Sequence, residues 1–215
     1  MRRFATLFCG FLLPAFLPGS QQGASHALQM TEAETVKKSE IDEQKLQEFW
    51  ALIERSDPAL SQWEQLEALR RELRQLPADK IAEFDAVLVA LHTQAYSWDL
   101  WGAAYVIKGG ASDDGFHYFK SWVIGRGRNF YESALADPDS LAELIPDGVA
   151  DHAEFEELNY VAREVWIDKT DDPEMPSIEL LAWQSEPVGE PFDSDAESLK
   201  VRYPQLWERF GLTPL

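Results

Sequence analysis

The sequence predicts an all-α fold: an irregular multi-helix globular domain that ends in a Pro- and acid-rich strap and a final short helix. Apolar residues recur at three- and four-residue intervals along most of the chain, the spacing of one helical face. Capping residues and Pro or Gly breakers separate these periodic segments, and strand-type alternation is nearly absent.

The chain's 215 residues, 45% of them hydrophobic, suffice for one domain with a sizeable core. Its 38 acids against 19 bases give a formal charge of −19, a field that repels phosphate backbones. No nucleic-acid partner is expected; whether the partner is a protein or a small molecule is not specified.

Arg2 and Arg3, an apolar run from Phe4 to Leu17 and the small residues Ala24, Ser25 and Ala27 predict a secretory signal peptide over 1–27. A polar linker, 28–40, follows. The leader implies a secreted or periplasmic protein; the alternative is a cytoplasmic one starting at Met30. The apolar run is too short to span a bilayer, so beyond an N-terminal anchor no integral membrane domain is expected. Cys9, the single cysteine, lies in this leader and leaves the folded part without disulfide, thiolate metal site or cysteine nucleophile.

The helical domain is expected over 41–170. Ser39 and Asp42 are spaced as a capping box before Leu46, Phe49, Trp50 and Ile53, the face of a first helix. Asp57-Pro58 ends it and opens a second, with Pro58 at a first helical position and Leu60, Trp63, Leu66, Leu69 or Leu73, and Leu76 along one side. Arg70, Arg71 and Arg74 near its end complement the helix dipole. Pro77 resets the pattern for a third helix, Ile81 to about Tyr96, which carries His92 as a partly buried polar residue.

The stretch Tyr96–Tyr131 organises the rest. Ser97 caps a helix with Asp99 in its first turn, and Gly109-Gly110 stops it after Lys108. Ser112 caps the next, with Asp113 and Asp114 in the first turn and Phe116, Phe119, Trp122 and Val123 at helical spacing up to Gly125 or Gly127. A short helix over Asn129–Ala136 follows, then one capped by Asp137-Pro138 as far as Ile145. Asp151 and Glu154 are spaced as a capping box for a long helix through Phe155, Leu158, Ala162, Val165 and Trp166 to about Lys169. Residues 171–215 form the irregular acidic strap, with Ile178 to Trp183 as its apolar part, and a last helix announced by Ser194 and Glu197.

The segments FWALIERS, YSWDLWGAAYVIKGGASDDGFHYFKSWVIGRG, DPDSLAELI and FEELNYVAREVW resemble the DUF4240 family, a bacterial domain of unknown function. The resemblance runs from about Phe49 to about Lys169. It implies a fold and names no activity. Family members often have cysteine where this chain has Ala111, so no thiol role carries over, and they mostly lack a leader, which favours the start at Met30.

Two constellations are candidate sites. Ser112, Asp113, Asp114 and His117, with Asp99 nearby, place carboxylates at a helix start and an imidazole one turn on, a set able to hold a divalent cation or act as acid and base. The same residues also read simply as a cap with favourable dipole charges. Lys120, Arg126 and Arg128, around the Gly125-Arg126-Gly127-Arg128 turn, are candidate anion ligands; alternatively the arginines pair with neighbouring acids. Trp98, Trp101, Tyr105, Phe116, Phe119 and Trp122 read as core anchors. No metal or cofactor is specified by ligand spacing. The leading reading is a binding or interaction module; the alternatives are a metal-assisted or carboxylate-driven hydrolase around Asp113, Asp114 and His117, and a structural acidic secreted domain.

Overall fold

The computed structural model describes residues 41–211; the expected leader and linker over 1–40 lie outside them. Ten α-helices carry the described residues: α1 (Glu43–Arg55), α2 (Gln62–Gln75), α3 (Ala78–Gln94), α4 (Trp98–Lys108), α5 (Asp113–Gly125), α6 (Arg128–Ala136), α7 (Leu141–Leu144), α8 (Val161–Thr170), α9 (Ala196–Arg202) and α10 (Pro204–Phe210). The all-α expectation holds, and one isolated bridge, Ser97 with Val188, is the sole strand-like pairing among the described residues.

α3 is the central strut, packed on α1 and on α8, and touching α5. Its residues Ile81, Phe84, Val87, Leu88 and Leu91 are almost completely buried, as its period predicts. α4 and α5 start and stop where their caps predict. The Ser97 hydroxyl accepts from Leu100 N–H and the Ser112 hydroxyl from Gly115 N–H, while Gly109 takes the left-handed conformation that ends α4.

Four boundaries differ from expectation. α1 is capped by Asp42, whose carboxylate accepts from the amides of Gln44 and Lys45. α2 begins four residues after Pro58. Ser61 and Glu64 make a reciprocal capping box there, and Asp57, at φ 59°, has already turned the chain. Leu60 and Trp63 consequently stay exposed, and the inward stripe begins at Leu66.

The expected long helix from Asp151 is instead two short 3-10 turns, Ala150–His152 and Glu156–Asn159, followed by α8. Tertiary contact overrides the capping pattern. Phe155 N–H donates to the Tyr118 carbonyl at 3.0 Å, its ring packs against Gly125, and Glu154 pairs with Lys108 rather than with its own helix start. The last helix is also split, into α9 and α10. Asp195 caps α9 and Pro204 opens α10, whose first amides are received by the carboxylate of Asp139, at 3.1 Å from Gln205 N and 2.9 Å from Leu206 N.

The strap lies across α3, with Leu180 and Leu181 partly buried against the core and Trp183 81% exposed. Val188 fixes its far end: its N–H donates to the Tyr96 carbonyl at 3.0 Å and its carbonyl accepts from Trp98 N–H at 2.9 Å. That anchor places Trp183, Gln184 and Ser185 beside the C-terminal half of α3 and the N-terminal half of α5.

Candidate functional site

Three segments enclose a cleft of about 460 Å³: the end of α3, the start of α5 and the strap around Trp183. This is the size range of small-molecule sites. Leu88, Val89, Tyr96, Trp101, Phe116 and Trp183 supply apolar and aromatic walls. Trp101 stacks on Phe116 with ring centroids 4.9 Å apart and an interplanar angle of 14°, and its indole N–H donates to the Ala111 carbonyl at 3.0 Å. The aromatic floor is therefore fixed in orientation before any ligand arrives.

Lys120 is the polar centre of the cleft. It lies on α5 one turn after Phe116, on the helix face that buries Phe116, Phe119 and Val123, and only 6% of its surface is exposed. Its ammonium sits 4.7 Å from the Tyr96 ring centroid and 5.2 Å from that of Phe116, and donates to the His92 carbonyl at 3.4 Å. Among the described residues no carboxylate offsets its burial, which pushes the Lys120 ammonium down to about 8.

Two imidazoles stand beside it. His92 on α3 and His117 on α5 stack at 4.5 Å and 24°. His92 is buried, and burial first, then the charges of Lys120 and His117, hold it well below the usual histidine range. His117 is lowered by partial burial and by the Lys120 charge, against opposing effects of the Asp114 charge and of a hydrogen bond with Asn159. Both rings are neutral near pH 7.

The ring of His92 is held by its neighbours. Asn159 donates its amide N–H to the Glu156 carbonyl at 2.9 Å, which turns its carbonyl oxygen toward the Ser121 hydroxyl at 3.0 Å. Ser121 also faces the His117 carbonyl at 3.2 Å and His92 Nε2 at 3.2 Å. His92 is thus engaged through Nε2, which leaves its Nδ1. That Nδ1 is buried and has no partner, and neither has the Oε1 of Gln184 in the same cleft.

Of the acidic candidates, Asp113 and His117 line the cleft and the others do not. Ser112 is engaged as the α5 cap and Asp114 is exposed outside it. Asp99 is held by the Arg202 guanidinium, and its carbonyl accepts from the Tyr203 hydroxyl at 3.0 Å; it pins the C-terminal helices to α4. Among the described residues no three His, Cys, Asp or Glu side chains converge to hold a metal ion.

The three cations of the anion candidate have separate occupations. Arg126 donates to the Pro58 carbonyl at 2.7 Å and lies over Phe130, bracing the loop between α1 and α2. Arg128 pairs with Glu132 and Glu43. Lys120 alone of the three reaches the cleft.

Sequence reasoning missed His92, Asp85, Asn159 and Gln184 as site residues. Asp85, largely buried on α3 with only a distant Arg163 in partial compensation, has its carboxyl pushed up to about 6. The cleft-lining residues divide among four stretches, 85–101, 113–120, Asn159 and 183–185, which no local motif joins.

No helix among the described residues is long and apolar enough to cross a membrane. No curated protein and no solved structure matches the chain. The family model described as protein of unknown function (DUF4240) matches residues 45–168, which span α1 through most of α8 and hold the α3 and α5 walls of the cleft together with Asn159. The chain thus belongs to the DUF4240 family.

Proposed function

We propose that this protein is a small-molecule-binding module whose cleft between α3, α5 and the strap takes a carboxylate- or phosphate-bearing ligand with a planar apolar part. The carrying observation is Lys120, a buried ammonium with no carboxylate counter-ion among the described residues, set in an aromatic-walled cleft. Burying a cation without a counter-ion is unfavourable, and an anionic ligand would supply the missing charge. The stacked Trp101 and Phe116, with Tyr96 and Trp183, offer flat apolar surfaces to the remainder of such a ligand. Of the three residues of the hydrolase alternative, Asp113 and His117 line the cleft and Asp114 lies outside it.

The test is a thermal-shift and calorimetric titration with benzoate and phenyl phosphate on the wild type, Lys120→Met and Lys120→Arg. The expected result is a ligand-dependent rise in melting temperature for the wild type, retained in part by Lys120→Arg and lost in Lys120→Met. Equal stabilisation of wild type and Lys120→Met by either anion would remove Lys120 from the site.

A further inference from the structure

We propose that Lys120 is a carbonyl-reactive amine: its side-chain nitrogen condenses reversibly with an aldehyde or ketone conjugated to a planar ring, held in the cleft between α3, α5 and the strap. This goes beyond anion binding. The anion reading uses the ammonium, whereas condensation uses the free amine, so either can fail without the other.

One face of α5 carries the chemistry. Asp113, Phe116, His117 and Lys120 stand at i, i+3, i+4 and i+7, and all four line the cleft. The Lys120 nitrogen lies 4.7 Å from the Tyr96 ring centroid and 5.2 Å from that of Phe116, so it stands among the rings that would receive a flat ligand. Its hydrogen bond to the His92 carbonyl is long, at 3.4 Å, and as a donor bond it leaves the lone pair of the unprotonated amine free.

Other lysines are paired or open to solvent. Lys45 and Lys80 pair with Glu83, Lys108 is lowered by burial but held by Glu154, and Lys200 is exposed. The paired ones would lose an ion pair on condensing. Lys120 has no such pair among the described residues, and burial brings it to about 8 beside Asp85 and His92 of α3, Tyr96, and Asp113 and His117 of its own helix, with Glu186 of the strap near Tyr96. About a tenth of it is then unprotonated at pH 7, against a few parts in about ten thousand for an ordinary lysine.

The step needs no oxidant or reductant. The amine lone pair adds to the carbonyl carbon, the C=O π pair moves to oxygen, and a proton passes from nitrogen to that oxygen; loss of water then leaves a C=N bond. His117, neutral and one turn before Lys120, is placed to carry the proton. Trp101 and Phe116, stacked on each other, with Tyr96, wall the space for the planar ring.

The experiment incubates the folded full chain with benzaldehyde and cyanoborohydride, which reduces an imine to a stable secondary amine, and locates the benzylated lysines by peptide mass spectrometry. Lys120 is expected to react about tenfold or more faster than Lys200 at pH 7, an advantage that disappears in urea. Its rate should level off above about pH 8 while that of Lys200 continues to rise. Lys120→Met and Lys120→Arg should both lose the fast labelling, the arginine variant while keeping the positive charge. Reaction at Lys120 no faster than at Lys200, or none, overturns the proposal. So does fast labelling that persists in Lys120→Arg, or a Lys120 rate that climbs in parallel with Lys200 up to pH 10. The benzoate and phenyl phosphate titrations are read separately, so a loss of anion binding leaves this result standing and the reverse holds too.

Discussion

Replacing Lys120 by Met should make the ligand-free protein more stable. Methionine keeps a long unbranched side chain on the buried face of α5 and removes the charge. Burial brings the Lys120 ammonium from its ordinary value of 10.5 down to about 8. At about 1.36 kcal/mol per pKa unit, the folded state then carries a penalty on the order of 3 kcal/mol for holding that proton. The sign follows from proton counting. Between pH 8 and 10.5 the unfolded chain binds a proton at Lys120 that the folded chain has released, so the wild type gains stability as pH rises through that window. Below pH 8 both states are protonated and the penalty is fully present. The cation–π contacts with Tyr96 and Phe116, worth about 0.5–2 kcal/mol each, offset part of it in the folded state. Lys120→Met is accordingly expected to gain about 1–3 kcal/mol at pH 6.5, with the advantage shrinking toward pH 10, measured by urea unfolding at several pH values. A destabilised Lys120→Met at pH 6.5, or a difference that does not change with pH, would show that Lys120 is satisfied in the folded protein and would refute the reasoning.

Further outcomes follow from the same contacts. Asp85→Asn should stabilise the protein far more at pH 7 than at pH 4, because burial raises the Asp85 carboxyl from 3.8 to about 6, so its penalty grows as pH rises through that window and is complete above it; unfolding midpoints at the two pH values check it. Gly102→Ala places a methyl group into the Tyr203 ring, and overpacking of this kind should destabilise by about 1–3 kcal/mol, with faster amide exchange in α9 and α10 than in α3. Ser112→Ala should destabilise by about 1 kcal/mol, the usual effect of losing an N-cap. Asp113→Ala should change stability by only about 0.3–1 kcal/mol, the range for a charge in the first helical turn, since the cap is the serine and the aspartate contributes a dipole charge. Chemical denaturation of the two variants separates those roles.

Cap chemistry made α4 and α5 legible, because Ser97, Ser112 and Gly109 act within their own turns and need no tertiary partner. Asp151 with Glu154 failed as a helix start for the opposite reason. Glu154 has a better partner in Lys108, and Phe155 is committed to Gly125 and the Tyr118 carbonyl, so the chain remains in 3-10 turns until Val161. The Ser61–Glu64 capping box, not Asp57-Pro58, starts α2. Pro58 turned out to matter through its carbonyl, which receives Arg126. The cleft was visible only in fragments, since Asn159 and Gln184 reach it from segments without periodic pattern. One signal did exist in the sequence. Phe116, Phe119, Lys120 and Val123 fall at i, i+3, i+4 and i+7, so a lysine stands on the face that the aromatic residues bury.

That placement bears on why the lysine is there. With 38 acids to 19 bases, this chain has no shortage of carboxylates for its cations. Arg70, Arg74, Lys80, Lys108, Arg128 and Arg202 each have one, several of them from a distant helix. Lys120 is the more buried and the more in need of a partner, yet Asp85 and Asp113 line the same cleft without reaching ion-pair distance. A lysine required only for packing would be served better by an uncharged long side chain at the same position. The arrangement resembles others in which local stability is given up at a binding site, where polar groups wait unpaired for a ligand. Lys120→Met should therefore gain stability and lose anion binding together, and a variant that gained one without losing the other would separate the strain at Lys120 from any function.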